Sequence, residues 1–177
     1  PMREPLNADI PLAVDHFRYF AGCARAQEGA ISEIDEYTVA YHIHEPLGVV
    51  GAITPWNVPL YVNVGKVIAA LLSGCTVVLK PAPDTPLMGA IMGELAAQVG
   101  FPAGVFNVVT SGDPAMAGEM LVADPRVDVI SFTGSTAIGK RIMEKGAATL
   151  KRIFLELGGK SATIILDDAP DFALSVM

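Results

Sequence analysis

From Gly48 onward the chain alternates short apolar runs with stretches of helical length and spacing, without an internal sequence repeat. Gly48 to Ile53, Thr76 to Lys80, Val105 to Val109, Val127 to Phe132 and Phe154 to Leu157 read as strands. Pro59 to Leu72, Thr85 to Val99, Pro114 to Ala123 and Ser135 to Leu150 read as the helices between them. Strand, helix, strand implies parallel pairing through crossovers, with the strands buried on both faces. The predicted fold is therefore α/β, a doubly wound, mostly parallel sheet. In such sheets ligands sit at the carboxyl ends of the strands. The distinctive residues gather there: Trp56-Asn57, Lys80, Ser111-Gly112, Thr133-Gly134-Ser135 and Glu156 to Gly159.

Ahead of this alternation, Ile10, Val14, Phe17, Ala21 and Ala24 recur at helical spacing, which predicts an amphipathic helix capped by Asp9 and ending near Glu28-Gly29. Tyr37 to His44 alternates as a half-exposed strand does, and a β arm near residues 37–45 is expected to pair outside the main core. With 177 residues the expectation is one domain.

The chain is 51% apolar and 18% charged, against a usual charged share of about 25%. Such a surplus implies surface that expects a cover. The run from Val67 to Leu79 is shorter than the roughly 20 residues a spanning helix needs and is broken at Ser73-Gly74. Further parts of the same polypeptide or a second subunit are the expected cover, and a membrane is not. A net charge of −7 opposes binding to nucleic acid. Cys23 and Cys75 form no disulfide framework and read as small core residues, and no leader opens the chain at Pro1-Met2-Arg3, so a cytoplasmic location is expected. His42 and His44 share a strand face without a third ligand nearby, and no metal is assigned.

Each candidate site residue has two readings. The segment Phe132-Thr133-Gly134-Ser135 leads from a strand into a helix, where free N–H groups and the helix dipole favour an anion; alternatively Ser135 only caps the helix and Gly134 only makes the turn. Gly134-x4-Gly139-Lys140 approaches a P-loop, but Arg141 stands where a Mg²⁺-binding hydroxyl belongs, and no G-x-G-x-x-G follows the first strand. Lys80 closes a strand before Pro81-Ala82-Pro83; its ammonium reaches ribose or phosphate oxygens, or snorkels at a sheet edge. Asn57 offers an amide to an oxyanion or caps the helix that starts near Pro59. Glu156 lies between Leu155 and Leu157, whose apolar flanks would raise its pKa toward that of a working general base; the alternative is a buried pair with Lys160.

Five segments together carry a resemblance. Thr54-Pro55-Trp56-Asn57, Val78-Leu79-Lys80-Pro81, Gly100 to Asn107, Phe132 to Thr136 and Leu155-Glu156-Leu157-Gly158-Gly159-Lys160 occur in the order and approximate spacing of the NAD(P)-dependent aldehyde dehydrogenase superfamily. The chain resembles that superfamily over nearly its whole length, and its opening segment around Asp15 to Gly22 is similar to members acting on acetaldehyde and other small aldehydes. The resemblance implies a Rossmann-like cofactor domain and oxidation of an aldehyde through attack by a cysteine thiolate, hydride transfer to NAD or NADP, and hydrolysis of a thioester. It implies that Asn57 donates to the oxyanion and Glu156 is the general base. It further implies that Lys80 holds the adenosine ribose and that Gly134 and Ser135 hold the pyrophosphate. Ile53, Thr54, Trp56, Gly112 and Phe132 would line the cofactor site, with Leu157 and Gly158 near the nicotinamide. A homo-oligomer is expected of the full-length protein.

Two departures bear on this. Pro83 stands where NAD-preferring members often carry a ribose-binding glutamate, which leaves NAD against NADP open. The family's nucleophilic cysteine lies beyond Met177, and neither Cys23 nor Cys75 takes its place. The expectation is an internal fragment, covering most of a cofactor-binding domain over residues 1–177, that does not oxidise aldehydes alone. The rival reading is a non-catalytic dinucleotide-binding module.

Overall fold

The computed structural model of the protein describes residues 3–166 and 168. Pro1, Met2 and Met177, on which the expectation of missing flanking sequence rests, lie outside the described residues.

Five strands form one parallel sheet: β3 (Val49–Ile53), β4 (Thr76–Lys80), β5 (Phe106–Val108), β6 (Val129–Gly134) and β7 (Arg152–Leu157). The spatial order is β5-β4-β3-β6-β7. The first strand of this alternation is thus central, and the chain winds outward from it first to one side and then to the other. This is the doubly wound, Rossmann-like arrangement that the alternation of strands and helices predicts. The crossovers are α2 (Pro59–Leu72), α3 (Pro86–Gln98), α4 (Pro114–Ala123) and α5 (Thr136–Gly146). Three of them open on proline, whose missing N–H costs nothing in the first turn.

Strand alternation divides the core in two. Val50, Ala52, Val77, Leu79 and Val129 point to one face, where Val64 and Val67 of α2 and Met92 of α3 meet them. Ile53, Ile130 and Phe132 point to the other, against Val122 of α4 and Ile142 of α5. Gly51 at the centre of β3 has no room for a side chain on this second face, since a Cβ there would lie 2.8 Å from Ile130 and 2.9 Å from Leu121.

The amino-terminal region departs from expectation in two ways. Helix α1 (Ile10–Ala26) forms and packs on α2, but Asp9 does not cap it. Asp9 closes a π-helical turn, Pro5–Asp9, that runs straight into α1, so its own backbone is already helical. Its carboxylate turns instead to α2, accepting N–H bonds from Leu60 and Tyr61. The β arm is a hairpin: β2 (Thr38–His42) pairs antiparallel with β1 (Ala30–Asp35), a strand that the periodicity did not reveal. Both strands are exposed along their whole length, so neither carries the half-buried pattern expected of 37–45.

Leu79 is fully buried (0% exposed) in the centre of the sheet. Leu79→Ala is expected to lower unfolding stability by about 2–5 kcal/mol, seen as a lower urea midpoint at unchanged slope. An unmoved midpoint would contradict this placement of the core.

Candidate cofactor cleft and catalytic edge

Parallel register brings the strand ends level. Ile53 pairs with Lys80 on one side and with Phe132 on the other. Beyond that line β3 and β6 send their chains to opposite faces, which opens a crevice at the switch point of the sheet. A cleft of about 430 Å³ lies there, on the face covered by α4 and α5. Ile53, Thr54, Trp56, Lys80, Phe132, Gly134 and Ser135 all line it.

Several of these side chains have polar groups without an internal partner. The Thr54 hydroxyl is buried and without a partner among the described residues, while its N–H is held by the Lys80 carbonyl at 3.2 Å. Lys80 is only 7% exposed, and burial holds its ammonium below the usual lysine range. Its stem runs along α4 at Gly118, and its ammonium makes no ion pair among the described residues. Because β4 lies between β3 and β5, Lys80 is an interior residue and not a lysine at a sheet edge. Ser135 caps α5, its Oγ accepting the Ile138 N–H at 3.4 Å. Its hydroxyl hydrogen and the first amides of α5 are left to face an anion in the cleft. Gly134 is required by its neighbour, because a Cβ there would stand 2.5 Å from the Phe132 ring.

The remaining expected residues lie elsewhere. Gly112 lines an adjoining recess of about 290 Å³ with Lys80, Pro83, Thr110 and Ser111. Leu157 packs on α5, where a Cβ at Gly139 would come within 2.7 Å of it. A Cβ at Gly158 would meet nothing within 4 Å among the described residues. Asn57 is exposed in the bend between β3 and α2, and it does not cap α2, whose N-cap position is Val58.

Glu156 corrects a sequence argument. Leu155 belongs to the α5 side of the sheet, whereas Glu156, one residue on, faces the opposite side and is exposed. Leucines adjacent in sequence therefore do not shield it, and it forms no ion pair with Lys160 among the described residues. Its electrostatic neighbour is Lys66 of α2, whose Nζ donates to Ser131 Oγ at 2.9 Å. Burial lowers the Lys66 pKa, and the charge of Glu156 opposes that shift. Lys66 went unnoticed in the sequence, although a lone lysine in the apolar run of α2 was a usable signal.

At the outer end of the cleft, Glu119 of α4 pairs with Lys145 and Arg141 of α5, which hold its carboxyl below the usual range. The arginine that breaks the P-loop pattern is thus the partner of an acid across the groove. Both cysteines are free, and Cys75 is buried at the amino end of β4, about 16 Å of strand from the cleft. Among the described residues no group of three or more His, Cys, Asp or Glu could hold a metal, and no helix is long and apolar enough to cross a membrane.

Comparison with known proteins gives these positions a context. The chain is 53% identical over 171 residues to a long-chain-aldehyde dehydrogenase of an Acinetobacter species, covering 97% of the chain and 34% of that protein. It is 54% identical over 168 residues to a fluoroacetaldehyde dehydrogenase of Streptantibioticus cattleyicolor, covering 95% of the chain and 33% of that protein. The solved NAD⁺ complex of an aldehyde dehydrogenase from Bacillus cereus superposes with a TM-score of 0.89 at 45% identity, covering 96% of this chain and 34% of that one. The chain thus spans about a third of the length of the relatives it matches. The model of the Aldehyde dehydrogenase family matches residues 1–177, and with a five-stranded sheet that superposes on a family member the chain belongs to that family.

Proposed function

We propose that residues 1–177 form part of the NAD(P)-binding domain of an aldehyde dehydrogenase, and that the whole protein oxidises an aldehyde to a carboxylic acid. The observation that carries this reading is the cleft at the switch point, where the buried, unpartnered Thr54 hydroxyl, the unpaired Lys80 ammonium and the amino end of α5 converge. A dinucleotide fits that set: ribose hydroxyls suit Lys80 and Thr54, and a pyrophosphate suits Gly134, Ser135 and the first amides of α5. Ile53, Trp56 and Phe132 supply walls, with Gly112 in the recess beside Lys80. Leu157 at the end of β7, and Gly158 just after it, continue this edge toward the nicotinamide end.

A dinucleotide held by these residues would supply a hydride acceptor for oxidation of the aldehyde. The nucleophilic cysteine comes from elsewhere in the protein, as Cys75 sits at the wrong end of its strand. Asn57, exposed beyond β3, donates its amide to the oxygen that gains charge as the thiolate attacks. Glu156, two ladder spacings or about 10 Å from β3, takes the proton of the thiol or of the water that hydrolyses the thioester. Its open side lets that proton pass on to solvent. Assembly as a homo-oligomer is supported by the apolar residues exposed on the hairpin, Ile31, Ile34, Val39 and Tyr41. A cytoplasmic location is supported by the two free cysteines.

In the full-length enzyme Glu156→Gln is expected to lower kcat roughly 100- to 10,000-fold while the affinity for cofactor persists. Turnover that survives the substitution would remove Glu156 from this role. The same variant withdraws the charge that supports Lys66, so the Lys66 pKa is expected to fall further, as read by NMR titration of the methylated lysines; an unchanged or higher value would contradict the coupling.

Among the described residues the recess beside Lys80 is lined by no carboxylate that would repel a 2′-phosphate, and Pro83 is one of its walls. Calorimetric titration is expected to show saturable binding of both NAD⁺ and NADP⁺. Binding of NAD⁺ alone would mean that another residue excludes the phosphate, and binding of neither by the folded enzyme would overturn the assignment of the cleft.

A further inference from the structure

Helix α2 starts on a proline and is preceded by Val58, which has no side-chain acceptor, so the first N–H groups it presents, those of Leu60 and Tyr61, need a partner from elsewhere. Asp9 supplies it from 51 and 52 residues upstream. Its Oδ2 accepts from the Leu60 N–H at 3.2 Å and its Oδ1 from the Tyr61 N–H at 2.7 Å. The side chain is 7% exposed, so this carboxylate is taken from water and satisfied by the positive end of a helix. Asp9 is itself anchored: it joins the π-helical turn to α1, and Ala13, one turn further on, is buried in the core that α2 and the sheet share.

The clamp holds the start of α2 three and four residues after the residue assigned to the oxyanion. Residues 54–58 connect β3 to α2, tied at the strand end by the bond from the Thr54 N–H to the Lys80 carbonyl, and Asn57 stands two residues before Pro59. Where α2 begins, and in which direction its first turn points, sets where the connection presents the Asn57 amide. We propose that Asp9 is a positioning residue, a helix cap supplied from a different helix that fixes the start of α2 and through it the aim of Asn57. This inference rests on the oxyanion role of Asn57 proposed above.

The test is a double-mutant cycle in the full-length enzyme, with Asp9→Asn, Asn57→Ala and their combination. Asp9→Asn keeps the size of the side chain but loses the charge and one acceptor, which favours a folded variant over Asp9→Ala; retained cofactor affinity in fluorescence titration reports the fold. The expected result is a loss in kcat of about tenfold for Asp9→Asn and a larger loss for Asn57→Ala. The double variant is expected to be no slower than Asn57→Ala alone, because a group that acts through Asn57 has nothing left to position. If Asn57→Ala collapses turnover but Asp9→Asn is as fast as the parent, or if the two losses multiply, the positioning role falls and the oxyanion role stands. If Asn57→Ala leaves kcat intact, the oxyanion reading itself fails and this inference fails with it.

Discussion

Everything functional in this chain depends on the parallel ladder along β3. That strand is paired on both sides over nearly its full length, with β4 from Val49 to Ile53 and with β6 from Val50 to Ile53. A parallel register cannot slip by one residue without exchanging the two faces of the strand, and here both faces are packed, by Ala52 on one side and Ile53 on the other. The ends of β3, β4 and β6 are therefore held level. The cleft is the space left where the chain departs from that level in opposite directions.

The walls of the groove belong to α4 and α5, and a short run of charge ties them together. Glu119 receives both Arg141 and Lys145 at the rim, where solvent limits what each pair contributes to stability. Their effect is geometric, since they span the outer opening between the two helices. The inner part is kept narrow by absent side chains: Gly51 lets α4 approach the sheet, and Gly139 brings α5 onto Leu157.

The central architecture was legible because its signals are local and mutually consistent. Pro59 to Leu72, Thr76 to Lys80 and Pro114 to Ala123 coincide with α2, β4 and α4, each bounded by a proline or a glycine that punctuates the chain. The strand ends stood out because distinctive residues follow each of the apolar runs. What escaped the sequence depends on partners far away in the chain. Strand β1 has every residue exposed, so no period marks it. Asp9 sits where a local cap belongs, and only the packing of α1 on α2 shows that it serves another helix. The argument that leucines shield Glu156 failed because neighbours along a strand point to opposite sides. Lys66 meets Ser131 and Glu156 only because two strands more than sixty residues on bring them to it.

The alternation that undid the argument about Glu156 also makes the sheet a partition. The cleft lies on the side of α4 and α5, while Glu156 and Lys66 lie on the side of α2, with the thickness of one sheet between them. Lys80 of β4 and Ser131 of β6, on the two strands that flank β3, address these opposite compartments. On the roles proposed above, residues that touch the dinucleotide can be exchanged on one side while Glu156 and Lys66 keep their places on the other. The sheet thereby separates the proposed choice of cofactor from the placement of the proposed base.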